Sequence, residues 1–337
     1  MIRSKKSATQ AAAGGRRARG YDWLAKLRCP ACGHGTLTKL AARPGDWGAW
    51  GVPGLRCPRC RGTYPVEEGG ILRLIPRGDY SRYAHWEKMH SAYSTEFIAA
   101  LYRRRFAFSD AFLLSYYAMP RLARKLGWNA EESLELGCQW GSNSLTLHRL
   151  GATQRVWLLD ISVHALKSAV RFFRIFGVTP YAIQAEIHQL PFKDSSMELT
   201  ISGGLYEHFV GEEQEQVVAE NCRVSRKVLC QVPESSAAYW IYRRLYTLLK
   251  SGWPFGFEVP VSWSRLRSLF VRKPFVLAGR DWHDLPSAAR MLIGERWAWA
   301  RMFTVRPILF YLFRHDAVIA VERHAPRGAA STPDVGG

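Results

Sequence analysis

The 337 residues carry 47 Lys and Arg against 28 Asp and Glu, a net charge of +19, with 47% hydrophobic, 13% aromatic and 22% charged content. That is enough chain for one large core and a small satellite domain, and too rich in aromatics for wholesale disorder. The longest nearly apolar runs, around Ala111–Met119 and Ile308–Phe313, are about half of a membrane span, so no transmembrane segment is expected.

The charge suits a polyanionic partner: nucleic acid, an acidic membrane surface or an anionic substrate. Solubility by self-repulsion is the plainer reading. Six of the cations (Arg3, Lys5, Lys6, Arg16, Arg17, Arg19) stand in the first twenty positions, with no acid among them. Residues 1–24 read as a disordered basic tail. They hold no apolar run of the signal-peptide kind, and a transit segment is the remaining targeting alternative. The expected location is cytoplasmic.

Residues 25–76 hold Cys29-Pro-Ala-Cys32 and Cys57-Pro-Arg-Cys60. Two such knuckles in one short segment form the pattern of a four-thiolate zinc ribbon, whose closed coordination makes the metal structural. A redox dithiol or a disulfide is the alternative, against which stand the three further unpaired cysteines. A domain of this size would take much of its folding energy from the metal and melt by itself when the metal is lost. The Gly- and Trp-rich spacer Arg43–Gly51 suits a hairpin loop, and Thr63–Ile75 reads as a turn followed by a strand.

Residues 77–130 read as a helical, aromatic and basic arm over the cofactor and substrate site. Residues 131–233 alternate short apolar strands (Ser133–Leu136, Arg155–Leu159, Tyr181–Ala185, Leu199–Ser202, Lys227–Val232) with helical patterns (Ser142–Leu150, Val163–Phe176, Glu212–Cys222). This cadence predicts a parallel sheet with helices on both faces. Residues 234–305 read as an aromatic, basic substrate cap, with 14 Phe, Trp or Tyr between positions 233 and 305. Two edge strands, Pro307–Phe313 and Ala317–Val321, complete the core within 306–325, and 326–337 is a disordered tail. The fold class is therefore α/β: a Rossmann-like, seven-stranded, doubly wound sheet with an N-terminal zinc ribbon and a helical cap insertion.

The first strand runs through Leu134-Glu135-Leu136-Gly137-Cys138-Gln139-Trp140-Gly141 into a helix. Glycines at such a turn let backbone approach a ligand beside the free N–H groups of a helix N-terminus. The second strand ends at Asp160, placed to take both hydroxyls of a ribose. To this point a nucleoside cofactor of either kind fits, and a dinucleotide-dependent oxidoreductase is the alternative. Structural use of the turn and of Asp160 alone is the plain reading of each residue.

Further on come Glu186, then Leu190-Pro-Phe192-Lys-Asp194-Ser-Ser-Met, then Gly203-Gly-Leu-Tyr-Glu207-His208. With Glu135, the Gly137–Gly141 turn and Asp160, this ordered set resembles class I S-adenosylmethionine-dependent methyltransferases (type 11-like) over Ser133–Val232. The resemblance implies that Glu135 and the turn, with Gly137, Cys138, Gln139 and Gly141, hold the methionine end. Asp160, with Ile161 beside it, would take the ribose. Glu186 and the Ile187 amide would read the adenine, and Gly203 completes the cofactor set. Gln139 departs from the family's usual glycine and would push a side chain towards the cofactor. Methyl transfer asks the protein mainly to hold a nucleophile in line and to supply a base where it carries a proton. His208 is the candidate base, with Tyr206 as a substrate contact; a helix-capping or pocket-wall role is the plain alternative. Glu207-His208 also resembles the end of a Glu-x-x-Glu-His metal motif, whose first Glu falls on Gly204.

The expected acceptor is a small molecule such as a natural product or lipid precursor. Ribosomal or transfer RNA is the alternative, since a four-cysteine ribbon before this core also resembles ribosomal-RNA guanine methyltransferases. Against that, the ribbon also resembles the small zinc-ribbon activators that partner diverse methyltransferases; a non-catalytic zinc-ribbon adaptor with a degenerate cofactor pocket, which Gln139 makes conceivable, is the third reading.

Overall fold

The protein is described from a computed structural model covering residues 21–41, 45–67, 69–76, 78, 80–91, 94–106, 117–250, 253, 255–272, 274–284 and 314–324. The strands are β1 (Thr38–Lys39), β2 (Gly54–Arg56), β3 (Thr63–Glu67), β4 (Ile71–Arg73), β5 (Ala130–Leu136), β6 (Thr153–Asp160), β7 (Tyr181–Gln184), β8 (Met197–Gly203), β9 (Ser225–Pro233), β10 (Phe275–Asp284) and β11 (Arg314–Arg323). The helices are α1 (Ala84–Ser91), α2 (Thr95–Phe106), α3 (Ala118–Lys125), α4 (Ser142–Arg149), α5 (Val163–Ile175), α6 (Gly211–Val224), α7 (Ala237–Lys250) and α8 (Trp263–Phe270).

All eleven strands join one sheet in the order β1-β2-β3-β4-β7-β6-β5-β8-β9-β11-β10. β7, β6, β5, β8 and β9 are parallel, as their near-continuous apolar runs require. β11 inserts antiparallel beside β9, and β10 pairs antiparallel with β11 at the edge. The strands β5–β11 make a core of the predicted strand number, in which β10 replaces one of the two edge strands expected from the sequence. The chain leaves β5 towards β6 and β7, then crosses to β8 and β9, so the order reverses between β5 and β8. A crevice opens at the carboxyl ends of strands at such a switch point.

The ribbon is not a satellite. β4 pairs parallel with β7, Ile71 opposite Ala182 and Leu72 opposite Ile183, so its four strands extend the core sheet. Trp50, from the spacer expected to be a loop, is buried and meets Trp157 at 5.6 Å and Tyr181 at 5.1 Å in edge-on contacts. Cys29, Cys57, Leu55 and Tyr64 share one hydrophobic cluster with Leu134, Trp157 and Phe192. This shared sheet and cluster argue against a separately melting domain. The stretch after the second knuckle is two strands about Gly69-Gly70 rather than a turn and one strand.

The cap reading of 234–305 also changes. α7 and α8 lie there, but Phe275–Asp284 forms β10, the edge strand of the core, held by Arg121 of α3 through a two-pronged bond to Asp281 (2.7 and 2.9 Å). Its hydrophobic alternation was hidden by Gly279, Arg280 and Asp281. Ala317–Val321 lies within β11. Residues 1–20, 285–313 (with Pro307–Phe313) and 325–337 fall outside the described residues; residues 21–24, expected in the basic tail, are ordered instead, because Trp23 is buried in the core cluster. Among the described residues no helix is long and apolar enough to cross a membrane.

Candidate active site

A cavity of about 480 Å³ opens at the carboxyl ends of β5, β6, β8 and β9. At one end it is lined by Gly137, Gln139, Asp160, Ile161, Ala185 and Ile187, at the other by Gly203, Gly204, Glu207, His208, Gln231 and Asp316. Trp86, Met89 and His90 of α1 and Trp253, Phe255 and Glu258 from the α7–α8 connection cover it. Of the segment expected to form an arm over the site, Tyr83 and α1 reach the cavity.

The turn after β5 follows from sequence. Gly137 has φ 60°, and a Cβ there would lie 2.8 Å from Leu205; Gly141 has φ 71°, and a Cβ would lie 2.6 Å from Phe173. Gln139 occupies the same left-handed region at φ 51°, so the turn keeps a glycine's shape without the glycine. Its amide donates to the Asp160 carboxylate at 2.9 Å, and the Ser162 amide donates to the other oxygen at 2.9 Å. Burial raises Asp160's pKa, opposed by nearby His90 and by these amides. α1 is pinned over this end by Glu87, which accepts from the Ser162 hydroxyl (2.9 Å) and the Val163 amide (2.8 Å) at the start of α5.

Several predicted contacts sit elsewhere. Glu135 does not line the cavity; it accepts from the Ser144 amide and Asn143 Nδ2, both at 3.0 Å, and so anchors the N-terminus of α4. Burial pushes its carboxyl up to about 7 despite those donors. Cys138 is buried and Gly141 packs against Phe173, neither reaching the cavity. Glu186 points under the arm, bonded to Arg82, to the Tyr83 hydroxyl (2.6 Å) and to His188 Nδ1 (3.1 Å). Tyr206 is fully buried on another side, receiving the Asn221 amide and packing edge-on against Phe270 at 5.3 Å. It is a core residue, and its expected substrate contact is withdrawn.

His208 does line the cavity. Its Nδ1 lies 2.6 Å from the Phe257 carbonyl, which only accepts, so Nδ1 carries the proton and Nε2 holds the lone pair of the neutral ring. Burial lowers its pKa, opposed by the Phe257 carbonyl and Glu258, so the neutral ring prevails near pH 7. The ring packs edge-on to Trp86 at 4.6 Å. Sequence reasoning missed Trp86, His90, Glu207 and Glu258. Of these only Glu207, beside the chosen histidine, carried a signal.

The four ribbon cysteines bring their Sγ atoms within 4.8 Å of one another. The Cys29–Cys60 and Cys32–Cys57 separations, 3.5 and 3.6 Å, match the edge of about 3.8 Å of a tetrahedron with zinc–sulfur bonds of about 2.3 Å. Burial would raise the Cys29 thiol, but the Tyr64 hydroxyl at 3.1 Å and backbone amides outweigh it and bring it down to about 7. The donor set fits zinc. Among the described residues no other three His, Cys, Asp or Glu side chains converge in this way, so the Glu-x-x-Glu-His reading has no support at Gly204.

The strand order and the crevice define the class I methyltransferase fold. Residues 134–227 match a family model described as a methyltransferase domain. No curated protein matches the sequence. Similar solved structures include the YcgJ protein of Bacillus subtilis, at 14% identity over 62% of this chain and 98% of that one, with a TM-score of 0.44. Magnesium protoporphyrin IX methyltransferase from Synechocystis PCC 6803 with bound SAH is 13% identical over 72% and 95%, with a TM-score of 0.43. The cyclopropane synthase MmaA2 of Mycobacterium tuberculosis is 14% identical over 60% and 83%, with a TM-score of 0.42.

Proposed function

We propose that the protein methylates a small-molecule acceptor, using S-adenosylmethionine held between the ends of β5 and β6 and zinc held by Cys29, Cys32, Cys57 and Cys60. The observation that carries this reading is one covered cavity running from Asp160 to His208. Gly137, the Gln139 turn, Asp160, Ile161 and Ile187 would hold the cofactor, which when bound supplies an electrophilic methyl group. Asp160 offers its carboxylate to hydroxyls, and the isoleucines offer apolar walls to a flat ring. Gln139 keeps the turn's shape, which speaks against a degenerate, non-catalytic pocket.

At the other end His208 is oriented by the Phe257 carbonyl and is neutral, so it can take a proton from an acceptor nucleophile. α1 and the α7–α8 connection exclude water from that nucleophile. A cavity of about 480 Å³ is of a size that suits a small molecule, which supports that reading over a polynucleotide. The test is transfer of labelled methyl groups from S-adenosylmethionine to either a small-molecule extract or total RNA of the source cell. Label in the small-molecule fraction, reduced by about a hundredfold or more in His208→Ala, is the expected result. Label confined to RNA contradicts the reading.

A further inference from the structure

The protein has a net charge of +19, yet the described lining of its cavity contains no Lys or Arg and four carboxylates, Asp160, Glu207, Glu258 and Asp316. Asp160 ends β6. Asp316 lies on β11, four strand spacings or roughly 19 Å across the sheet. Three acids thus gather at the acceptor end. Glu258 receives the Tyr239 hydroxyl (2.6 Å) and the Trp253 indole N–H (3.1 Å), and Asp316 receives Gln231 Nε2 (2.8 Å). Glu207 differs. It is 2% exposed, and its Oε2 is buried with no hydrogen-bond partner.

A buried carboxyl oxygen left without a donor is a penalty that a ligand N–H removes. Burial, with Glu258 and Asp316 nearby, holds the Glu207 carboxyl well above the usual carboxylate range. A cation bound beside it would favour its ionised form. A phosphate or carboxylate group would instead meet these acids, with no Lys or Arg among the described residues that line the cavity. A small metal ion is also a poor fit, because these side chains do not converge as the four cysteines do. Trp86, Phe209, Trp253 and Phe255 line the cavity too, giving an apolar body and ring faces that attract a cation.

We propose that the methyl acceptor is an amine with an aromatic or otherwise apolar body, and that Glu207 receives its N–H or ammonium group. This rests on the methyl-transfer reading and adds the acceptor's chemistry to it. The test is calorimetric titration of the full-length protein, saturated with S-adenosylhomocysteine, with three probes of one shape: phenethylamine, phenethyl alcohol and hydrocinnamate. The amine should bind about ten- to a hundredfold more tightly than the alcohol, with hydrocinnamate weakest. Glu207→Gln should keep its affinity for S-adenosylhomocysteine and lose the preference for the amine.

A wild-type protein that binds the amine no more tightly than the alcohol, including binding neither, overturns the proposal. So does a preference for hydrocinnamate, or an amine preference that survives in Glu207→Gln. The wild-type comparison stands even if that variant fails to fold. Failure to bind S-adenosylhomocysteine at all would count against the methyl-transfer reading itself, which separates the two.

Discussion

The Gln139 amide donates to the Asp160 carboxylate at 2.9 Å, tying the turn after β5 to the end of β6. The contact requires Gln139 to stand at φ 51°. A left-handed non-glycine residue costs about 1–2 kcal/mol, whereas glycine loses about 0.5–1 kcal/mol more backbone entropy on folding. Gln139→Gly should therefore be neutral to about 1.5 kcal/mol stabilising in urea unfolding. Gln139→Val should be destabilising, because a β-branched side chain resists this conformation. Equal stability of the two variants would contradict the strained turn.

The arm depends on Glu87, which caps α5 from outside it. Glu87→Ala removes acceptors from the Ser162 hydroxyl and the Val163 amide, and should cost about 1 kcal/mol of stability. It should also loosen Trp86 and His90 over the cavity. The expected readout is faster proteolysis within 77–117 and weaker cofactor binding. Unchanged proteolysis would show that other contacts hold α1.

Two carboxylates should give opposite pH slopes. Bonds from His188, then Tyr83 and Arg82, lower Glu186 to about 2, below the unfolded value of about 4.3. Its contribution is present above pH 4.3 and is lost as pH falls through about 2. Glu135 is raised to about 7 by burial, so its contribution is present below about 4.3 and is lost as pH rises through 7. Thermal melts of Glu186→Gln should show a weaker acid limb, and those of Glu135→Gln a flatter course between pH 5 and 7. Parallel curves for both variants and wild type would remove this assignment.

Metal loss should be felt by the whole chain. Trp50 and Cys29 share a cluster with Trp157, and β4 is paired to β7. Cys32→Ser or Cys57→Ser should abolish zinc in elemental analysis and lower a single melting transition. Two transitions, with the one belonging to residues 130–233 unmoved, would mean that the ribbon is a satellite after all.

The cadence of strands, the turn at Gly137 and the acid at Asp160 were legible because each answers a local demand: apolar runs for a buried parallel sheet, positive φ, a strand-end acceptor. Residue roles that depend on which way a side chain turns were not legible. Glu135 and Glu186 bear the family's spacing but spend their oxygens on α4 and on the arm. Tyr206 is next to the site in sequence and turns into the core. Trp50 looked like a loop residue because nothing local records that Trp157 and Tyr181 await it. β10 was lost among basic and aromatic residues, since an edge strand needs apolar alternation on one face only. Glu207 stands beside His208, and only the burial of one unpaired carboxyl oxygen marks it out.

The central claim is that a nucleoside-bearing methyl donor sits against Asp160. Calorimetric titration with S-adenosylhomocysteine tests it most directly, using wild type and Asp160→Ala. The account predicts one site per chain in the wild type and binding weakened by about ten- to a hundredfold in the variant, the loss of a charged acceptor. No heat of binding in the wild type, or equal affinity in both proteins, would contradict it.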